Sequence, residues 1–103
     1  MSVASDLRKW SKAILTRDGL MCQVCGAKHG AKNYKGNRVN LNAHHIIDKQ
    51  SIETRLLLDN GIALCPKCHK FGNYSAHKNS VWFACWLAIN KPDVFTKLNE
   101  YIK

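Results

Sequence analysis

Acid is scarce in this chain of 103 residues, where 7 Asp and Glu stand against 16 Lys and Arg for a formal net charge of +9. The scarcity is uneven, because no carboxylate occurs between Asp18 and Asp48, nor between Asp59 and Asp93. Such a balance does not specify a fold, but it favours a polyanionic partner. Long apolar runs are also missing, so no segment reads as a membrane-spanning helix. The opening Met1-Ser2-Val3-Ala4-Ser5-Asp6-Leu7-Arg8-Lys9 is too polar for a secretory leader, and the expected location is the cytoplasm. There is no repeat and no low-complexity segment. The 5 Cys are an odd number, which argues against a disulfide framework, and in a reducing compartment paired cysteines more often bind metal.

What is present suits one small core. Hydrophobic residues make up 46% of the chain, enough to exclude disorder, and the length predicts a single domain over 1–103. At this size a crosslink or a bound metal adds stability that the core alone lacks. Residues 6–16 read as a helix, with Leu7, Trp10 and Ile14 on one stripe, Ser5 as N-cap and Gly19 as stop. Residues 28–38 are rich in Gly, Asn and basic side chains and read as an exposed loop, with Tyr34 free to pack on a sugar or base. Residues 38–47 alternate as a strand, Val39, Leu41 and Ala43 on one face and Arg38, Asn40 and Asn42 on the other. After a connection, Asn60-Gly61 is expected to turn tightly into a short second strand, Ile62-Ala63-Leu64. Pro66 suits the first turn of a helix carrying Cys68 and His69. The core is expected over about 20–78, and a helical lid over about 79–103. In that lid residues 81–89 form a well-buried helix with Cys85 as a buried thiol. Asn90 caps a last helix that turns Val94, Phe95, Leu98 and Ile102 inward.

Cys22-x2-Cys25 and Cys65-x2-Cys68 have the spacing of four-cysteine zinc sites, each pair at a turn. Four thiolates close a tetrahedral ion completely, so this zinc would be structural, tying off a loop of about 40 residues. His44, His45, Asn60 and His69 fall outside that set. On a helix the ring of His69 points about 100° away from the neighbouring Cys68 thiolate, poorly placed to share its ion. Phosphodiester hydrolysis needs a base to take a proton from water near neutral pH and a cation beside the leaving oxygen. One histidine can be that base while two others hold a divalent ion with open positions. In a regular strand His44 and His45 face opposite ways, so both serve one phosphate only if the strand ends or bulges there.

These residues resemble the HNH nuclease family, of small phage or homing type. The likeness runs from Lys9-Trp10 through Arg17-Asp18-Gly19, Cys22-Gln23-Val24-Cys25-Gly26, His44-His45-Ile46 and Asn60-Gly61-Ile62 to Leu64-Cys65 and Cys68-His69. It implies a small α+β fold, a ββα-metal (His-Me finger) core stapled by the four-cysteine zinc, flanked by an N-terminal helix and C-terminal helices. It implies catalytic roles for His45 as general base and for Asn60, which orients that base through its turn. His44 and His69 become ligands of a catalytic divalent metal, joined by His77 or, alternatively, by Asn73. Magnesium, manganese or similar ions would support cutting, while imidazole ligation also suits zinc or nickel as occupants. The implied partner is duplex DNA held through its backbone by a monomer or weak dimer, with no membrane, in the host-cell cytoplasm if phage-encoded. The alternative is a non-catalytic zinc-knuckle module that binds nucleic acid without cutting it.

Overall fold

The computed structural model describes residues 2–102. Its first helix, α1 (Val3–Arg17), is capped by Ser2 and not by Ser5: Ser2 is extended, and its Oγ accepts from the Ser5 amide at 3.1 Å. Ser5 therefore lies inside the helix, one turn beyond the group that satisfies it. The helix stops where expected, with Gly19 at φ +69° just beyond the capping Asp18. Trp10 and Ile14 form the buried stripe, and Leu7 sits at its half-buried edge. Ile14 is wholly inaccessible, a burial that stabilises by about 2 kcal/mol.

Two strands form the only sheet among the described residues. β1 (Asn42–His45) runs antiparallel to β2 (Gly61–Leu64), pairing Asn42 with Leu64, Ala43 with Ala63, His44 with Ile62 and His45 with Gly61. The first strand is shorter than its alternation suggests, because residues 39–41 have no strand partner, although Leu41 is buried and Arg38, Asn40 and Asn42 are exposed as the pattern requires. Asn60-Gly61 makes no two-residue hairpin turn. Asn60 ends a 3-10 turn (Leu58–Asn60), and Gly61 is already in the strand. Glycine is required there by contact: a Cβ on Gly61 would lie 2.5 Å from Trp10 Cζ2 and 2.6 Å from Ile14 Cδ1. This close approach lays α1 across the start of β2. The outer edge of β2 is covered as well, since Ala63 donates to Asp18 Oδ2 at 2.9 Å and accepts from the Gln23 amide at 3.0 Å.

Beyond β2 the expected helix is one wide turn (Lys67–Phe71) of π type, closed by Gly72 N donating to Lys67 O at 2.8 Å. Two helices follow, α2 (Ser80–Asn90) and α3 (Pro92–Asn99). The lid is less buried than its composition suggests. In α2 only Phe83 and Leu87 are fully covered, Val81 and Ile89 are 74% and 77% exposed, and Cys85 is exposed rather than buried. In α3 only Leu98 is buried, and Ile102 beyond it is largely exposed. A chain this small has more apolar side chains than interior to hold them. Nor does Asn90 cap α3; it ends α2, its amide donating back to Trp86 O at 3.0 Å, and Lys91 stands at the junction. Among the described residues no helix is long and apolar enough to cross a membrane. The whole is a compact α+β unit in which two strands, flanking helices and four clustered cysteines agree with a ββα-metal fold.

Candidate metal centres and catalytic cleft

The described residues hold two donor clusters. The first gathers Cys22, Cys25, Cys65 and Cys68, whose Sγ atoms lie within 4.8 Å of one another. The Gly26 amide donates to Cys22 O at 2.9 Å and closes a tight knuckle with Gly26 at φ +79°. The second pair begins where β2 ends, and Cys22, Cys65 and Cys68 are buried in the main hydrophobic cluster. Cys25 and Cys65 approach to 3.6 Å. The Cys68 thiol donates to Cys22, which draws the Cys22 thiol down to about 4 and correspondingly pushes Cys68 up; burial raises Cys65. Four soft donors at this separation fit a tetrahedral zinc and leave it no open position.

The second cluster is made of imidazoles. His44 in β1, His69 in the π turn and His77 have ring nitrogens within 4.8 Å of one another. Ring centroids lie 5.0 Å apart for His44–His69 and His44–His77, and 4.6 Å for His69–His77. The Nε2 atoms of His69 and His77 are 3.0 Å apart. His77 arrives because the chain folds back after Gly72: its amide donates to His69 O at 3.0 Å, and Ala76 N to Cys68 O at 2.8 Å. Asn73, the other candidate, is exposed and does not line the cleft that holds the three imidazoles. Burial, followed by the neighbouring imidazoles, pulls His44 down to about 3; burial, then His77 and Lys70, pulls His69 down to about 4. Neutral imidazoles are what a metal requires. Phe83 backs His44 edge-on at 5.2 Å.

His45 faces the other way from His44, as strand alternation demands, and does not join the cluster. Both histidines nevertheless line one cleft of about 250 Å³, with Asp48, Lys49, His69, Lys70 and His77. β1 ends at His45, so the cleft wraps the strand's tip. The His45 ring lies flat on Trp10, centroids 3.9 Å apart and planes inclined by 11°. Its Nε2 is 2.9 Å from Arg55 O. A carbonyl can only accept, so Nε2 carries the proton and Nδ1 keeps its lone pair. Burial, the largest influence, lowers the His45 pKa against a smaller raising effect from that carbonyl.

Asn60, fully buried, holds the segment that supplies this carbonyl. Its Oδ1 accepts from Ile47 N at 2.6 Å, and its Nδ2 donates to Ile47 O at 3.0 Å and Thr54 O at 3.1 Å. Three residues whose part was not legible complete the frame. Trp10, read as plain core, also donates from Nε1 to Leu57 O at 2.8 Å. Arg17 donates to Leu58 O and Gly61 O, each at 2.7 Å, and pairs with Asp18. The only sequence signal for these was their place in the Lys9-Trp10 and Arg17-Asp18 segments of the resemblance.

A ribbon and helical turn that present imidazoles in a cleft, braced by a closed thiolate site, define the ββα-metal class of nuclease fold. Residues 22–71 match the family model described as HNH endonuclease, and the two-stranded ribbon, flanking helices and four-cysteine cluster are consistent with a ββα-metal fold. Comparisons with curated proteins and with solved structures returned no match.

Proposed function

We propose that residues 1–103 form a single metal-dependent HNH endonuclease domain that hydrolyses phosphodiester bonds in duplex DNA. The observation that supports this most is the convergence of His44, His69 and His77 in a cleft that also contains His45, held in one tautomer by Arg55 O. Three neutral nitrogens suit a divalent ion of the zinc, nickel, cobalt or manganese type and leave coordination positions for substrate. Such an ion would supply Lewis-acid stabilisation to the phosphate and its leaving oxygen. His45 Nδ1 takes the proton from the attacking water, and the Arg55 carbonyl steadies the imidazolium that results. Trp10 and Asn60 act through His45: one fixes the plane of its ring, the other the loop bearing its carbonyl partner. Lys49 and Lys70 line the cleft and meet the phosphate charge. The cysteine cluster takes a structural zinc and no part in the chemistry. By the family resemblance the products carry 5′-phosphate and 3′-hydroxyl ends, one chain nicks one strand, and a phage or mobile element in a cytoplasm is the setting.

Plasmid nicking tests this directly. With manganese or magnesium the wild type should nick and EDTA should stop it, while His45→Ala should be at least about a hundredfold slower. Equal nicking by both proteins would remove His45 from catalysis. Binding by both without nicking would leave a zinc-knuckle nucleic-acid module.

A further inference from the structure

A second depression, of about 230 Å³, adjoins the catalytic cleft and is lined by Asn40, Asn42, Pro66, His69, Lys70 and Phe71. His69 and Lys70 belong to both depressions, so a strand with a phosphate at the imidazoles passes its adjoining nucleotide over this second one. The volume is below the usual range for a free small-molecule site and suits part of a larger ligand. Three of its residues have no explanation in the fold. Asparagine is depleted in strands, yet Asn42 stands in β1; Asn40, just before the strand, is exposed like it, and neither side chain makes a hydrogen bond among the described residues. Phe71, two residues after His69, is 72% exposed beside a lysine and two amides. Local rules broken without a structural return point to a ligand.

We infer that this depression is a base-reading subsite for the nucleotide next to the scissile phosphate. Resting on the nuclease reading above, it adds sequence preference to a site otherwise built for backbone. The Asn40 and Asn42 amides each offer a donor and an acceptor to a base edge, the group that pairs bidentately with adenine. Phe71 packs against the same nucleotide, and Lys70 spans its phosphate. Lysine and the histidines supply affinity without sequence information; the two uncharged amides supply the discrimination.

The test uses a duplex pool randomised over a short window, nicked by the full chain with manganese, and the new ends are sequenced. Wild type should enrich adenine roughly tenfold at one position within about two nucleotides of the cut. The double variant Asn40→Ala, Asn42→Ala should keep its melting temperature, since neither amide bonds within the fold, and lose that enrichment. Phe71→Ala should nick roughly tenfold more slowly on every sequence while retaining the bias. A flat wild-type profile, or the same bias in the double variant, overturns the subsite and leaves the nuclease standing. The pool is also selected for binding in buffer with neither added divalent metal nor chelator, so that zinc at the cysteines stays in place. Amide-dependent bias there without any nicking would uphold the subsite and remove the nuclease; no binding at all would remove both.

Discussion

The two donor clusters sit within one small ribbon, yet they are built oppositely. The cysteine cluster is complete and inward: three of its four thiols are buried in the hydrophobic cluster. The histidine cluster is incomplete and outward: only His44 is buried, and His77 lies exposed at the rim of a cleft. A closed site contributes its binding energy to folding, because the unfolded chain cannot assemble it. An open one keeps coordination positions for a substrate, at the cost of leaving some donors in water. The same ribbon thus keeps a closed donor set apart from an open one.

That separation can be broken at several points. The greatest effect is expected from Cys65→Ser, since structural zinc contributes on the order of 10 kcal/mol and a domain this size is stable by about 5–10. The variant should lose cooperative melting by circular dichroism, and a folded variant would show the thiolate site to be dispensable. Next comes Asn60→Ala, which orphans the amide and carbonyl of Ile47 and leaves Thr54 O with only the Leu57 amide as donor. It should cost roughly 3 kcal/mol in urea unfolding and slow nicking through His45. Unchanged stability would mean water replaces the amide. Smaller still is His69→Ala, which should reduce bound metal from two equivalents to one and abolish nicking while shifting stability by less than about 1 kcal/mol. Unfolding of this variant would erase the contrast between the sites.

The mildest effect concerns pH in protein freed of metal at the histidine site. His44 and His69 take up protons near 6.5 when unfolded but only near about 3 and about 4 when folded. The unfolded state therefore binds more protons below pH 6.5, so this contribution is present at pH 7 and is lost as pH falls toward 4. The urea midpoint should be lower at pH 5 than at pH 7, and His44→Leu should reduce the difference. A midpoint independent of pH would mean that these imidazoles titrate alike in both states.

How much could be read in advance follows the range of each interaction. The cysteine pairs were legible because two residues between ligands is a local constraint that a turn satisfies on its own. The strand faces were legible for the same reason, Asn40 and Asn42 out and Leu41 in. The lid misled, since the apolar run through Cys85 resembles a buried helix and only neighbours decide whether it is covered. The choice between His77 and Asn73 was equally hidden. A regular α-helix favours Asn73, one turn after His69, whereas the π turn and the return at Gly72 bring His77 to 3.0 Å from His69.

By itself, then, the order of residues determined which chemistry was available: four thiols in two tight pairs, adjacent histidines at a strand end and a cation-rich surface. Tertiary structure alone decided the assignments. It laid Trp10 on His45, brought Arg55 O to its Nε2, and returned His77 to His69 across an irregular turn. Ligand spacing is set by a few covalent bonds, whereas ring stacking, tautomer and access to solvent depend on segments that meet only when the chain has folded.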